Sequence, residues 1–329
     1  MKPFTYSRPR YIGTAVAEVG AEPGAAFIAG ATELSNWMRD GIESPTRLVD
    51  INSLPLGGIE VREDRLRLGA LARVSDVAAF PPVRQMYPVL AQALDQSASP
   101  QIRNMATMGG NLLQRTRCPY FRETSFPCNK RNPGSGCAAR SGEHRLHAIF
   151  GGSDACIAVH PSDLAVALVA LDAVIHTRGP HGSRAIPITG LYVPPGETPE
   201  HETALEHGEL IVAIDIPAEP FTVRSHYLKV RERASFEFAL ISVAACVELG
   251  GANSTVRTAR VALGGVAYKP WRAWDAEDAL IGKPLTAEHM ARAGAAAVVG
   301  AQPLRDNAFK VQLVERAVVR ALTNIRAGA

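Results

Sequence analysis

The pattern of apolar and polar positions divides the chain into three stretches of different character. The first alternates strand-like and helix-like signals. Phe27-Ile28-Ala29-Gly30 is a short apolar run ending in glycine, which predicts a buried strand entering a tight loop. Leu34, Trp37 and Met38 then fall at helical spacing between Thr32 and Asp40, with Gly41 as a stop. Arg47–Ile51 predicts a second strand. Ile59–Arg62 and Arg65–Leu68 alternate strictly about Glu63-Asp64, the signature of a hairpin, and Ser75-Asp76 predicts the N-cap of a short helix.

The middle stretch, Gln114 to Gly152, has little periodicity and is rich in Arg, Pro, Gly and Cys. A structureless segment this long is unusual inside a compact protein, and is normally functional, a linker, or held by something other than peptide. Regular patterning resumes near Ala155, and Leu164 to Val174 is apolar enough for a buried element. Near Phe221 the chain enters a third region. Two strand-like segments, Ile241–Leu249 and Arg257–Gly264, are separated by Gly250-Gly251. A strongly periodic helix follows, with Phe309, Leu313, Val314, Ala317, Val318, Ala321, Leu322 and Ile325 on one stripe and Asp306 or Asn307 as its cap.

Composition narrows the class of protein. The 329 residues suit two or three packed subdomains, and 47% hydrophobic with 20% charged is an ordinary globular balance. A formal charge of +3, with the six lysines scattered, gives no footprint for nucleic acid. The most apolar stretch, Cys156 to Ile175, is interrupted by His160, Pro161, Ser162, Asp163 and Asp172, so no membrane insertion is expected. The N-terminal residues lack an apolar signal core and no Arg-Arg pair occurs, so no export signal of its own is expected.

Five cysteines are present, and Cys118, Cys128, Cys137 and Cys156 fall within 39 residues. The odd number and the ample core argue against a disulfide framework. The spacing lacks the close CxxC pairs of zinc modules and the close runs of ferredoxins, so it identifies no metal by itself. Arg115, Arg117, Arg122, Lys130 and Arg131 crowd the four cysteines and are placed to offset the negative charge of a thiolate-bound cluster. Cys246, within Val243–Val247, is expected in the core.

Two Gly/Thr loops add a second kind of chemistry. Ala29-Gly30-Ala31-Thr32-Glu33-Leu34 leaves a strand for a helix and offers free backbone N–H groups to a phosphate, although alone a plain turn explains it better. It is neither GxGxxG nor a P-loop. Thr107-Met108-Gly109-Gly110-Asn111 permits positive φ and a close backbone approach. Together the loops suit the two ends of a pyrophosphate. Asp163, after His160-Pro161-Ser162, is placed either to bond sugar hydroxyls or to cap a helix. Lys229-Val230-Arg231-Glu232-Arg233 would ordinarily be a solvated strand face, and His144 and His147 solvated loop residues. No Ser/His/Asp or Cys/His nucleophilic arrangement stands out.

In order along the chain, Phe27–Leu34, Thr107–Asn111, Ser162–Ala165, Lys229–Arg233 and Ala262–Ala267 resemble five blocks of the FAD-binding medium subunit of the xanthine dehydrogenase family of molybdenum hydroxylases. Asn111–Phe121 and Pro133–Cys137 are similar to the medium subunit of bacterial periplasmic aldehyde oxidoreductases, with a comparable insert in hydroxybenzoyl-CoA reductase. The resemblance implies an α+β fold: a vanillyl-alcohol-oxidase-type FAD-binding domain of two α+β subdomains, then a C-terminal lobe of sheet and helices. The expected divisions are 1–58, 59–220 with an insert at about 114–156, and 221–329.

It further implies FAD held by Ala26, Phe27, Ile28, Ala29, Gly30, Ala31, Thr32, Glu33 and Leu34, by Thr107, Gly109, Gly110 and Asn111, with Asp163 on FAD hydroxyls and Lys229 near the isoalloxazine. Cys118, Cys128, Cys137 and Cys156 map onto the ligands of a 4Fe-4S cluster. Ala31 departs from the family, which usually has a second glycine there. The implied activity is electron transfer within a heterotrimeric aldehyde oxidoreductase. Its molybdenum cofactor would lie on a large subunit and its 2Fe-2S clusters on a small one, with FAD passing electrons to an external acceptor. The implied location is the periplasm, by co-export with a signal-bearing partner. A hydroxybenzoyl-CoA-type reductase subunit is the alternative within the family, and a zinc-stapled binding module the alternative outside it.

Overall fold

The computed structural model describes residues 1–250 and 255–328. Three sheets follow one another along the chain. The first is parallel, in the order β1-β3-β2, from β1 (Thr5–Ser7), β2 (Ala25–Ile28) and β3 (Arg47–Asp50). Parallel strands require crossovers: the Ile12–Gly20 helix, burying Ala15, Val16 and Val19, connects β1 to β2, and the Leu34–Arg39 helix connects β2 to its neighbour β3. β2 thus starts two residues before the predicted run and ends before Gly30, which lies in the loop.

The second sheet is antiparallel, in the order β4-β5-β8-β6-β7. The Glu63-Asp64 hairpin forms as β4 (Ile59–Val61) and β5 (Arg65–Gly69). The remaining strands are β6 (Val174–Gly179), β7 (Gly182–Pro187) and β8 (Leu210–Pro217).

The third sheet has the order β12-β11-β10-β9, from β9 (Ser225–Val230), β10 (Ile241–Gly250), β11 (Thr255–Gly264) and β12 (Trp271–Arg272). The Gly251 of the expected turn lies outside the described residues. The apolar run of β10 is covered on both faces. Ala244 and Cys246 join the core around the Pro88–Asp95 and Asp163–Ala170 helices, while Val243, Ala245 and Val247 face the Trp274–Leu280 and Phe309–Ala327 helices. Cys246 is fully buried there, and burial pushes its thiol up.

Three expected caps are corrected. Arg73, not Ser75 or Asp76, precedes the Val74–Ala79 helix, because Ala106 O and Thr107 fix the chain before it as a bridge with Arg73. Ser162 caps the Asp163–Ala170 helix, its Oγ accepting from Ala165 N at 3.0 Å, so Asp163 is free for other contacts. Ala308 precedes the Phe309–Ala327 helix. The buried Asn307 instead accepts from Leu304 N at 2.7 Å and donates to the carbonyls of His147 and Ala148 at 3.3 and 3.1 Å.

The middle segment carries little regular structure beyond the short Pro119–Arg122 and Ala138–Ser141 helices. Polar contacts hold it instead. Arg131 donates to the carbonyls of Tyr120 and Phe121 at 3.0 and 2.6 Å, and Lys310 Nζ donates to the carbonyls of His147 and Gly265 at 3.0 and 2.7 Å. The C-terminal helix thereby covers the segment's end, so His144 and His147 are 4% and 3% exposed rather than solvated. Among the described residues, no helix is long and apolar enough to cross a membrane.

Candidate cofactor sites

A cleft of about 740 Å³ opens beyond the C-terminal end of β2, within the size range of ligand pockets. Open parallel sheets place ligands at this end of their strands. Every residue from Ala26 to Leu34 lines the cleft, as do Thr107, Gly109, Gly110, Asn111 and Asp163. Among the described residues, the backbone N–H groups of Gly30, Ala31, Thr32 and Glu33 engage no hydrogen bond with the protein. Four successive unshielded donors on a cleft wall form a cradle for an anion. A side chain at Gly30 would collide with the carbonyl of Met105, so the close approach of the two segments requires glycine. Ala31 adopts φ 59°, the left-handed region that glycine enters freely. The departure from glycine therefore acts through the backbone.

The second loop works differently. Gly109 and Gly110 lie in the Met108–Leu112 helix rather than at positive φ. Thr107 Oγ1 caps that helix by accepting from Gly110 N at 3.2 Å, and Gly109 N donates to Ala70 O at 2.8 Å. A Cβ at Gly109 would stand 3.0 Å from Ala70 Cβ, so this glycine permits close packing under the cleft. Asn111 Oδ1 accepts from Ser162 Oγ at 2.7 Å, tying this loop to the segment bearing Asp163.

Asp163 and Lys229 form a buried pair at 2.8 Å. The other carboxylate oxygen accepts from Tyr227 Oη at 2.6 Å, and Lys229 Nζ also donates to Gln96 O at 3.0 Å. Burial pushes the Asp163 carboxyl up, against the pull of Lys229. Lys229 belongs to no solvated face: its side chain is 1% exposed, and it does not line the cleft but stands behind Asp163. Arg117, Trp37 and Phe238 also line the cleft without having been singled out for it. Trp37 Nε1 is buried without a partner, and Arg117 lies over the Phe238 ring at 4.7 Å. Only Arg117 carried a signal, its place beside Cys118.

Cys118, Cys128, Cys137 and Cys156 all line one small cavity in the middle segment. Cys128 and Cys137 face one another as antiparallel bridge partners, and all are free thiols. Burial, with neighbouring sulfurs adding to it, pushes Cys118 up to about 12 and Cys156 to about 11. His147 Nε2 lies 3.1 Å from Cys118 Sγ, and burial holds its ring down at about 4, hence neutral. Among the described residues, no three His, Cys, Asp or Glu side chains gather as ligands to a single metal ion.

The basic residues expected to offset a cluster have other partners. Arg117 and Arg122 bind Glu33, Arg115 binds Glu43 and Glu202, and Lys130 binds Glu202. A further cavity of about 270 Å³ runs from Cys118 and His147 to Asp163 and Phe238, between the cysteine pocket and the cleft.

A FAD binding domain in molybdopterin dehydrogenase matches residues 2–219, and the CO dehydrogenase flavoprotein C-terminal domain matches residues 226–325. The chain belongs to the FAD-binding medium subunits of the molybdenum hydroxylase family. This flavoprotein subunit is similar along all of both chains to the aldehyde oxidoreductase FAD-binding subunit PaoB of Escherichia coli K12, with 49% identity over 336 residues. It is 27% identical to the carbon monoxide dehydrogenase medium chain of Hydrogenophaga pseudoflava, covering 97% of this chain and 96% of that one. The structure of carbon monoxide dehydrogenase from the same organism, lacking the Mo-pyranopterin moiety, superposes with a TM-score of 0.77 at 28% identity, over 99% of this chain and 98% of that one. The flavoprotein subunit thus has the family's mixed α/β architecture, a FAD-binding domain followed by a C-terminal domain.

Proposed function

We propose that the chain is the FAD- and 4Fe-4S-carrying electron-transfer subunit of a heterotrimeric, molybdenum-dependent aldehyde oxidoreductase. Full-length 49% identity to an aldehyde oxidoreductase FAD-binding subunit carries the substrate class. In this reading aldehyde oxidation takes place on a large molybdenum subunit, a small 2Fe-2S subunit relays electrons, and an external acceptor removes them. Export to the periplasm with a signal-bearing partner is part of the same reading.

The cleft fits FAD. The N–H groups of Gly30–Glu33, on residues that line the cleft and without protein partners among the described residues, would serve as donors to a pyrophosphate, and the glycine at position 30 keeps that backbone close. Asp163 retains acceptor capacity for a flavin hydroxyl beyond its two internal bonds, and Lys229 fixes the carboxylate's orientation. Bound FAD supplies the redox chemistry; the chain holds it, orients it and limits its exposure to water.

The cluster reading rests on four cysteines brought to one cavity. A zinc ion needs its ligand atoms about 2.0–2.3 Å from one point, whereas a cubane takes four thiolates on four separate irons around a larger body. Four cysteines line one cavity of the segment, which is the number of thiolates a cubane takes. Iron, labile sulfide and flavin assays on the purified complex, with aldehyde-dependent reduction of the flavin, test the reading. Zinc in place of iron overturns the cluster assignment, and activity with aryl-CoA thioesters instead of aldehydes overturns the substrate class.

A further inference from the structure

We infer that Glu33 is a positioning residue that couples FAD binding in the cleft to cluster loading in the cysteine segment. The inference rests on the cofactor assignments proposed above. Glu33 ends the loop that cradles the cleft and immediately precedes the Leu34–Arg39 helix, yet its carboxylate does not cap that helix. It turns to the cysteine segment instead. Both oxygens accept from Arg117 Nη1, at 2.6 and 2.7 Å, and Oε1 accepts from Arg122 Nη2 at 2.6 Å. The partners lie 84 and 89 residues away along the chain.

These arginines flank a proposed cluster ligand. Arg117 precedes Cys118, and Arg122 ends the Pro119–Arg122 helix whose N-cap is Cys118. Arg117 is anchored further by Gln114 Oε1 at 3.2 Å and also lines the cleft. The three side chains are 18% to 27% exposed, shielded enough for charge-assisted bonds to hold a geometry. Two arms from either side of Cys118 therefore close on one carboxylate of the FAD loop.

The segment bearing the arms is held by few backbone elements, so ordering it carries an entropic cost that a metal-bound Cys118 would already have met. With the arms fixed, Glu33 and the N–H groups of residues 30–33 are held in their binding geometry; with the arms loose, FAD must order them itself. The coupling is reciprocal, as any linkage between binding free energies must be.

The test is a thermodynamic cycle on the full-length chain in the complex with which it purifies. FAD affinity is measured by flavin fluorescence on reversibly deflavinated samples, with the cluster intact and after its anaerobic oxidative removal with chelator, for wild type and E33Q. Wild type is expected to lose FAD affinity by about 5–150-fold when iron is removed, the usual range of such couplings, and E33Q by no more than about twofold. An unchanged wild-type affinity, or a wild-type ratio retained by E33Q, overturns the coupling. Should E33Q not fold, R122Q removes one of the two arms on Glu33 together with a long bond to Thr116 O, and must shrink the ratio; an undiminished ratio overturns the coupling. A wild-type preparation with flavin but no iron overturns the cluster reading itself, a result separable from the others.

Discussion

Arg117 lines the cleft and its neighbour Cys118 lines the cysteine pocket, yet the two sites are made by opposite means. The cleft is made of backbone. A parallel sheet delivers the Ala26–Leu34 loop, a close contact at Gly30 shapes it, and its donors stand free before any ligand arrives. The cysteine pocket is made of side chains on a segment with two four-residue helices, fastened from within by Arg131 and from outside by Asn307 and Lys310. The first site is built into the fold's backbone, whereas the second rests on side-chain contacts. Buried thiols pushed up to about 12 and 11 at Cys118 and Cys156 remain protonated near neutrality, so a metal must displace their protons to bind.

The largest effect is expected at the cysteine pocket. Cys128→Ser removes one of the four proposed cluster ligands; iron content should fall to near zero while FAD still binds, more weakly. Iron assay and flavin fluorescence check it, and loss of flavin altogether would erase the distinction between the sites. Next comes the wall of the cleft. Lys229→Met strands a buried carboxylate, so the unfolding free energy should drop by about 3–5 kcal/mol, read by denaturant titration.

An effect spread over several pH units follows from His160, buried against Tyr192 at a ring separation of 4.3 Å and held by burial down at about 3. The folded state takes up this proton less readily than the unfolded chain. Stability is therefore lost as pH falls from about 6.5 towards 3, by up to about 1.4 kcal/mol per pH unit. His160→Asn should flatten that slope in unfolding midpoints measured across the window. The smallest change is a gain: Ala31→Gly relieves the left-handed backbone at φ 59° and should stabilise the loop by about 1 kcal/mol, with FAD affinity unchanged or raised.

The same contrast sets how much was readable beforehand. Strict alternation about Glu63-Asp64 and the continuous apolar run of β10 depend on local pattern, and both elements form where expected. The cleft-lining loops were legible because strand-to-helix junctions with Gly and Thr have a local signature. What escaped was long-range. His144 meets Asp306, and His147 meets Asn307 and Lys310, all about 160 residues away, which no window of the sequence reveals. Arg117 and Arg122 read as counter-charges to the cysteines because they are adjacent to them, whereas Glu33 claims them across the fold. Lys229 looked like a surface charge in a run of charges, and only Asp163 and Gln96 explain its burial. Helix caps failed by other engagements: Ser75 bonds its neighbour Asp76, and the Asn307 amide reaches the distant carbonyls of His147 and Ala148.

The central proposition is that one chain carries both cofactors, one in a site shaped by the fold and the other in a site completed by binding. Quantifying flavin, iron and labile sulfide in the purified complex, with an EPR spectrum of the reduced sample, tests it most directly once the same measurement is made on Cys128→Ser. The expected result is one FAD per chain in both samples, and about four irons and four sulfides per chain present in wild type and absent from the variant. Equal iron in the two samples, or zinc in place of iron in wild type, would contradict it.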